Sequence, residues 1–279
     1  RGVFMKFTYL GTAAAEGFPG TFCNCKHCQT AKTLGGKNIR SRSQAIINDD
    51  LLIDFPADTF YHFLNNNVEG HKIKYLLITH SHMDHFYPEE FQMRGRGFCS
   101  DMEVEKLKVY CNKGSFDKLV SMNIIEKSNI EVQEIKPFET IQLDKYTVTA
   151  LPACHFAGDG ALIYIISDGT KTVLYANDTG AVFVDDAEEY LKKNNIVFDM
   201  ISLDCTYVEF VVSDGNGHMG IENNKSAVKR LKEIGAITEK TQIFINHFSH
   251  HNAPLQDRLE NLAAPLGFSV AYDGLELEI

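Results

Sequence analysis

Short apolar runs, continuous or alternating, recur along the whole chain and are separated by polar turns. The first spans 5–10. Gln44–Ile47 and Leu51–Ile53 flank Asn48-Asp49-Asp50, which predicts a β-hairpin. Further strands are predicted at 75–79, 107–111, 130–135 and 146–151. Leu162–Ser167 and Thr172–Ala176 flank Asp168-Gly169, a dipeptide suited to a tight hairpin turn. Runs at 200–203, 243–246 and 269–272 complete the set. Helical spacing appears at 58–64, 115–122, 187–194 and 225–234; in the last, Ala227, Val228, Leu231 and Ile234 share one face. The first half reads as β-rich with hairpins, and the later part alternates strands with helices. No repeat, low-complexity tract or Pro/Ser linker interrupts it. The expected architecture is one α/β domain over 1–279, with layered sheets and helices outside.

With 279 residues, 44% of them hydrophobic, the chain can bury a large core. It has no apolar run of about eighteen residues, the length a membrane-spanning helix needs. Residues 1–9 are too short in apolar character for a secretory signal. Met5 opens the first strand-like run, so residues 1–4 read as a remnant or a misplaced start. The net charge is −10, with the acid excess spread along the chain. No long basic stripe is present, which weighs against a dedicated nucleic-acid binder. The 7 cysteines are Cys23, Cys25, Cys28, Cys99, Cys111, Cys154 and Cys205. An odd count, partly clustered and partly scattered, does not resemble a disulfide framework. It points to a reducing, cytoplasmic compartment, with the cluster as a metal site.

The stretch Ile78-Thr79-His80-Ser81-His82-Met83-Asp84-His85-Phe86 carries the chemistry. It follows a buried-strand pattern at 75–79. A turn just past a strand can converge three imidazoles and a carboxylate on a small volume. Such donors bind zinc, manganese or iron, and this many exceed what one open catalytic ion needs. They fit two ions sharing a nucleophilic water.

His80-Ser81-His82-Met83-Asp84-His85 resembles the H-x-H-x-D-H signature of the metallo-β-lactamase-fold hydrolases. The resemblance implies an αβ/βα sandwich, two mixed sheets packed face to face with helices outside. It also implies further ligands downstream: His155 after Leu151-Pro152-Ala153-Cys154, Asp178 after the run ending Ala176-Asn177, and His247 after Ile243–Asn246. Asp54, ending Leu51-Leu52-Ile53, is implied as a support behind the ligands. One ion would be held by His80, His82 and His155, the other by Asp84, His85 and His247, with Asp178 bridging. Such a pair lowers the pKa of a bridging water and stabilises charge on the attacked oxygen.

Phe22-Cys23-Asn24-Cys25-Lys26-His27-Cys28 gives C-x-C-x2-C. Three thiolates want a fourth ligand to close a tetrahedron around a structural zinc. His27 is wedged between two of the cysteines; His247-Phe248-Ser249-His250-His251 offers better candidates. Together with the hydrolase signature, the cysteine cluster and the late H-x-x-H resemble the PhnP-type cyclic phosphodiesterases of the carbon–phosphorus lyase pathway. That resemblance runs from Tyr9-Leu10-Gly11-Thr12 to Leu277. It implies a structural zinc on Cys23, Cys25, Cys28 and His250, in a loop at about 20–30, and a general-acid role for His218 in the loop 214–220. Arg94 and Arg96, in Gln92-Met93-Arg94-Gly95-Arg96, are candidates for contacting a substrate phosphate. The chain is longer than expected of that group, and the extra segments, 97–106 and 208–216, are expected to border the substrate cleft.

The implied function is metal-dependent hydrolysis of a small phosphate diester, cyclic ribose or nucleotide phosphates included. A metal-bridging hydroxide would attack phosphorus, and His218 would protonate the leaving oxygen. One alternative is a tRNA 3′-processing endonuclease, against which the acidic balance weighs. Another is a non-hydrolytic protein of the pyrroloquinoline-quinone B type. Lactamase or thioester hydrolysis fits the cysteine cluster and late H-x-x-H less well. The related group suggests a homodimer, and the lack of a long apolar run leads to the expectation of no membrane partner.

Overall fold

The computed structural model describes residues 4–156, 158 and 160–279. In chain order the elements are β1 (Lys6–Gly11), α1 (Lys26–Leu34), β2 (Gln44–Ile47), β3 (Leu51–Ile53), α2 (Thr59–Asn65), β4 (Tyr75–Ile78), β5 (Leu107–Cys111), α3 (Lys113–Met122) and β6 (Ile130–Glu134). There follow β7 (Thr140–Leu143), β8 (Tyr146–Pro152), β9 (Leu162–Ser167), β10 (Thr172–Ala176), α4 (Phe183–Lys193), β11 (Met200–Asp204), α5 (Ile221–Glu233), β12 (Gln242–Asn246), α6 (Gln256–Ala263), β13 (Ser269–Val270) and β14 (Leu275–Glu278). Two seven-stranded sheets form, in the orders β14-β1-β2-β3-β4-β5-β6 and β13-β12-β11-β10-β9-β8-β7. Both are mixed. β3 through β6 run parallel, as do β10 through β13, and the remaining neighbours are antiparallel.

The period of two along each strand explains the layering. Phe7, Tyr9, Ile47, Ile53 and Leu77 of the first sheet meet Val148, Tyr164, Ile166, Val173 and Tyr175 of the second in one shared core. Their alternates in the first sheet, Ile46, Leu52, Leu76 and Ile78, pack outward with Leu119 of α3. In the second sheet, Leu174, Ala176, Ile201 and Leu203 pack on α4 and α5 through Phe183, Ala187, Leu191, Ala227 and Leu231. Strands buried on both faces read as continuous apolar runs, which is why they were visible in the sequence. The order is helix, sheet, sheet, helix, as the resemblance implied.

Both predicted hairpins form, β2–β3 and β9–β10. Four elements have no counterpart in the apolar pattern. Edge strands β7 and β14 are four residues each and half exposed. Helix α1 buries only Cys28 and Ala31, and α6 only Gln256, Leu259 and Ala263. Each sheet has its own antiparallel and parallel portions. Strand β13 stops at Val270, short of the expected 272. Among the described residues, no helix is long and apolar enough to cross a membrane.

Because β8 and β10 both run antiparallel to β9, they point the same way as β11 and β12. The C-terminal ends of β8, β10, β11 and β12 therefore open onto one edge. The two sheets are tied there: Leu162 N donates to Thr79 O at 2.9 Å, and Tyr164 Oη to Ile78 O at 2.7 Å. Behind that edge lies Arg40, fully buried. It donates to Thr12 Oγ1 (2.8 Å), Ala271 O (2.7 Å), Gln256 Oε1 (2.6 Å) and Pro254 O (3.3 Å), and covers the Phe248 ring at 4.7 Å. Burial pulls its pKa down to about 10, so it stays charged at neutral pH. One side chain thus links the segment after β1 to the loop from β12 to α6. Arg40→Met strips buried carbonyls of their donor, so urea unfolding is expected to show a loss of about 3 kcal/mol or more. A loss below about 1 kcal/mol, the size of an ordinary surface change, contradicts this account.

Candidate metal centre

Strand ends position the cluster. Asp54 follows β3, His80 to His85 follow β4, His155 follows β8, Asp178 follows β10, and His247 follows β12. Asp54, Asp178 and His247 all adopt left-handed backbone, with φ of 63°, 52° and 60°. Such conformations in non-glycine residues cost about 1–3 kcal/mol each and persist where the surroundings over-determine them. They turn the chain sharply at each strand end, so the side chains converge instead of continuing along the sheet.

The converged donors divide into two sets. His82 Nδ1 and His155 Nε2 are 3.2 Å apart, and the ligating atoms of His80, His82 and His155 all lie within 4.8 Å of one another. His85 Nε2 lies 3.3 Å from Asp84 Oδ2 and 3.3 Å from His247 Nε2. Asp178 faces both sets. Its Oδ2 is 2.8 Å from His85 Nε2 and 3.1 Å from His247 Nε2, while its Oδ1 is 3.6 Å from His155 Nε2.

Electrostatics test whether cations fit. Burial works against charge on His85, yet Asp178, Asp84 and Asp54 outweigh it and raise its pKa well above the ordinary imidazole value. The same balance, with Asp178, Asp204 and Asp84, pushes His247 up to about 10. The site therefore demands positive charge. His80 goes the other way: burial, then the charge on His85, hold it well below the usual value. Its Nε2 is buried without a hydrogen-bond partner, while Nδ1 meets Thr79 Oγ1 at 3.0 Å. A neutral imidazole with an orphaned nitrogen beside acidic neighbours is the chemistry of a metal ligand. The donor set fits divalent ions.

Two carboxylates brace the imidazoles from behind. Asp54 Oδ2 lies 2.7 Å from His85 Nδ1, and its Oδ1 accepts Thr79 N and Oγ1 at 2.8 and 2.9 Å. In the other half, Asp204 Oδ2 lies 3.0 Å from His218 Nδ1 and 3.3 Å from His247 Nδ1, and accepts Asp178 N at 3.1 Å. Its Oδ1 accepts Thr206 N (3.0 Å) and Met219 N (2.8 Å). His218 is thus joined to the cluster, with Nδ1 3.7 Å from Asp178 Oδ1 and its ring stacked on His247 at 5.7 Å. Burial opposes charge on His218, but Asp204 and Asp178 outweigh it and raise its pKa.

A separate group forms at the other end of the β12 loop. Cys23, Cys25, Cys28 and His250 bring their donor atoms within 4.8 Å of one another. Cys28 Sγ is 3.8 Å from His250 Nδ1. Cys25 caps α1, its sulfur accepting Cys28 N at 3.5 Å, and that N–H, ahead of the other causes, lowers its pKa. Glu16 accepts from Ser249 Oγ and from His250 N, fixing the loop.

Comparison with known proteins decides the family. Residues 52–247 match the family described as the beta-lactamase superfamily domain. The chain belongs to the beta-lactamase superfamily. Its metallo-β-lactamase fold is shared with solved structures of low identity. A diphosphatase described as from the PhnP family is 21% identical, with TM-score 0.76 over 99% of this chain and 98% of the other. Zinc-bound PqqB from Methylobacterium extorquens is 19% identical, with TM-score 0.73 over 98% and 100%. The short form of human tRNase Z is 16% identical, with TM-score 0.66 over 98% of each chain. No curated protein sequence matches the chain.

Within this superfamily fold, Asp204 is the residue that sequence reasoning missed. It ends a strand, and Leu203-Asp204-Cys205-Thr206 is among the stretches that carry the family resemblance, but the sequence reading gave it no role. Arg94 and Arg96, the candidates for a substrate phosphate, lie on the segment after the histidine motif. Arg94 Nη2 donates to Val104 O at 3.0 Å, and Arg94 lines an apolar cavity of about 290 Å³ with Phe55, Phe63, Met93 and Leu107. Arg96 is exposed on the surface nearby. Neither is brought to the histidines. Of the extra segments, 97–106 packs on that cavity through Cys99 and Met102, whereas 208–216 borders His218 through Phe210 and Val211.

Cys25→Ser is expected to lower bound zinc by one per chain in elemental analysis; unchanged content refutes the cysteine site. Asp54→Asn and Asp204→Asn should each weaken metal retention by about 10–100-fold in chelator competition. Wild-type retention in both would show that these carboxylates only fill space.

Proposed function

We propose that the chain is a dinuclear metal-dependent phosphodiesterase acting on a small phosphate diester. The observation carrying this reading is Asp178, whose two oxygens face two different donor sets. A carboxylate so placed suits two ions, one on His80, His82 and His155 and one on Asp84, His85 and His247. Ions there supply a nucleophile at neutral pH and neutralise charge on the phosphoryl oxygen. A structural zinc on Cys23, Cys25, Cys28 and His250 would hold the loop that also carries His247. Thiols in that role are kept reduced, which fits a cytoplasmic setting.

The chain's own residues supply the proton. Asp204 occupies Nδ1 of His218, so transfer to a substrate falls to Nε2. That nitrogen protonates the leaving oxygen as its bond to phosphorus breaks. Thr206 Oγ1 braces His247 Nδ1 at 2.8 Å and keeps the two rings parallel. Gly180 keeps the His218 loop close, since a Cβ there would lie 1.9 Å from Asn216 O. A tRNA-processing role is disfavoured by the open depression beside His218, which no Lys or Arg lines among the described residues.

The deciding assay loads the purified protein with zinc, manganese or iron. Substrates are bis(p-nitrophenyl) phosphate, cyclic nucleotides, precursor tRNA and a β-lactam. Turnover of the small diesters is expected. His218→Ala should cost about 10²–10⁴-fold on alkoxide leaving groups and far less on p-nitrophenolate. No diester turnover at full metal loading overturns the reading; full activity of the variant on alkoxide leaving groups removes the general acid.

A further inference from the structure

Aromatic rings surround the approach to His218. Phe156 follows His155 directly, and its ring centroid lies 6.0 Å from that of His218 and 5.7 Å from that of His155. Tyr207 meets His218 edge-on at 5.9 Å. Phe210 and Val211 line the same open depression as Tyr207 and His218. Phe156 is 67% exposed, Phe210 64% and Val211 78%. Single exposed apolar side chains are ordinary, but several gathered around one histidine at the mouth of a buried cluster mark a binding surface.

Phe156 is seated, not merely exposed. A Cβ on Gly217 would come within 2.6 Å of its ring, so the ring occupies the space a side chain would take there. That places its edge against the residue preceding the proposed general acid. Among the described residues the depression has no Lys or Arg in its lining, so it is unsuited to gripping a polyphosphate backbone. What it offers is aromatic surface, which planar rings stack upon.

We propose that Phe156, with Tyr207 and Phe210 around His218, forms a stacking subsite that selects phosphate diesters carrying a planar aromatic ring, such as a nucleobase. This rests on the phosphodiesterase reading above and names its substrate class. The reaction adds water across one phosphorus–oxygen bond. The water oxygen goes to phosphorus, and a proton goes to the freed alkoxide through His218.

Adenosine 2′,3′-cyclic phosphate and ribose 2,3-cyclic phosphate share their sugar and reacting bonds and differ in the base. Wild type should prefer the first by about tenfold or more in kcat/KM, and Phe156→Ala should shrink that ratio to about twofold, chiefly through KM. Phe156→Trp should keep it. Absence of a preference in wild type, or an unchanged ratio in Phe156→Ala, overturns the subsite. Calorimetric binding of adenosine 5′-monophosphate reads the same contact without turnover. It should weaken about tenfold in Phe156→Ala while inorganic phosphate binds both proteins alike. Equal nucleotide affinity overturns the subsite even if diesters are cleaved. Loss of nucleotide affinity without cleavage of either diester upholds the stacking and overturns the phosphodiesterase reading.

Discussion

Buried negative charge is the constraint on which the rest of the structure depends. Asp54, Asp84, Asp178 and Asp204 are all withdrawn from water at one edge of the two sheets. Carboxylates in that position must be matched by positive charge and saturated with hydrogen bonds. Backbone and hydroxyl donors from Thr79, Thr206 and Met219 meet part of the requirement. The imidazoles of His85 and His247 face the rest, and the pKa of each is raised by its acidic neighbours. A divalent ion bound by the same groups would satisfy that demand. Acid-rich burial that would otherwise be costly thereby becomes a binding site.

The fold answers this demand twice, once in each sheet. In the first, Asp54 at the end of β3 grips His85 in the loop after β4. In the second, Asp204 at the end of β11 grips His247 at the end of β12. Each pair places the carboxylate one parallel strand away from its histidine. The histidines meet in the middle, 3.3 Å apart, across the seam between the sheets. Register therefore matters: slipping one strand by one residue would turn its terminal side chain to the other face. Arg40 and the Cys23–Cys25–Cys28–His250 group stabilise the far side of the loop that carries His247, so its short connection to His250 serves both clusters.

The legible parts of this molecule were those with local signals. His80 to Asp84 stand within a few positions of His85 and follow an apolar run, so both the motif and its strand could be read together. His155, Asp178 and His247 also end apolar runs, and the structure brings them to the motif. Asp204 has no local motif; its importance comes from His218, His247 and Asp178, which chain folding alone brings to it. The hydrogen bond from Arg94 to Val104 O is likewise a product of folding that its sequence neighbourhood does not announce. Helices α1 and α6 escaped notice because their buried stripes are two or three residues wide, too narrow for a period to show.

The same distinction bears on specificity. On the proposed reading, the groups that would engage the reacting phosphate lie at strand ends, where geometry is rigid and residue choice is narrow. Groups at the mouth lie on loops, Phe156 after β8 and Phe210 and Val211 after β11, where length and composition are free to differ. Phe156, Phe210 and Val211 are exposed, and among the described residues no Lys or Arg lines the depression that holds Phe210, Val211 and His218. A polyanionic partner would need cations at successive phosphates, and among the described residues no Lys or Arg lines the depression that holds His218. On the proposed reading, a single phosphate would need only the charge that ions in the buried cluster supply. The mouth would then be left to recognise whatever the phosphate is attached to, and its chemistry is aromatic.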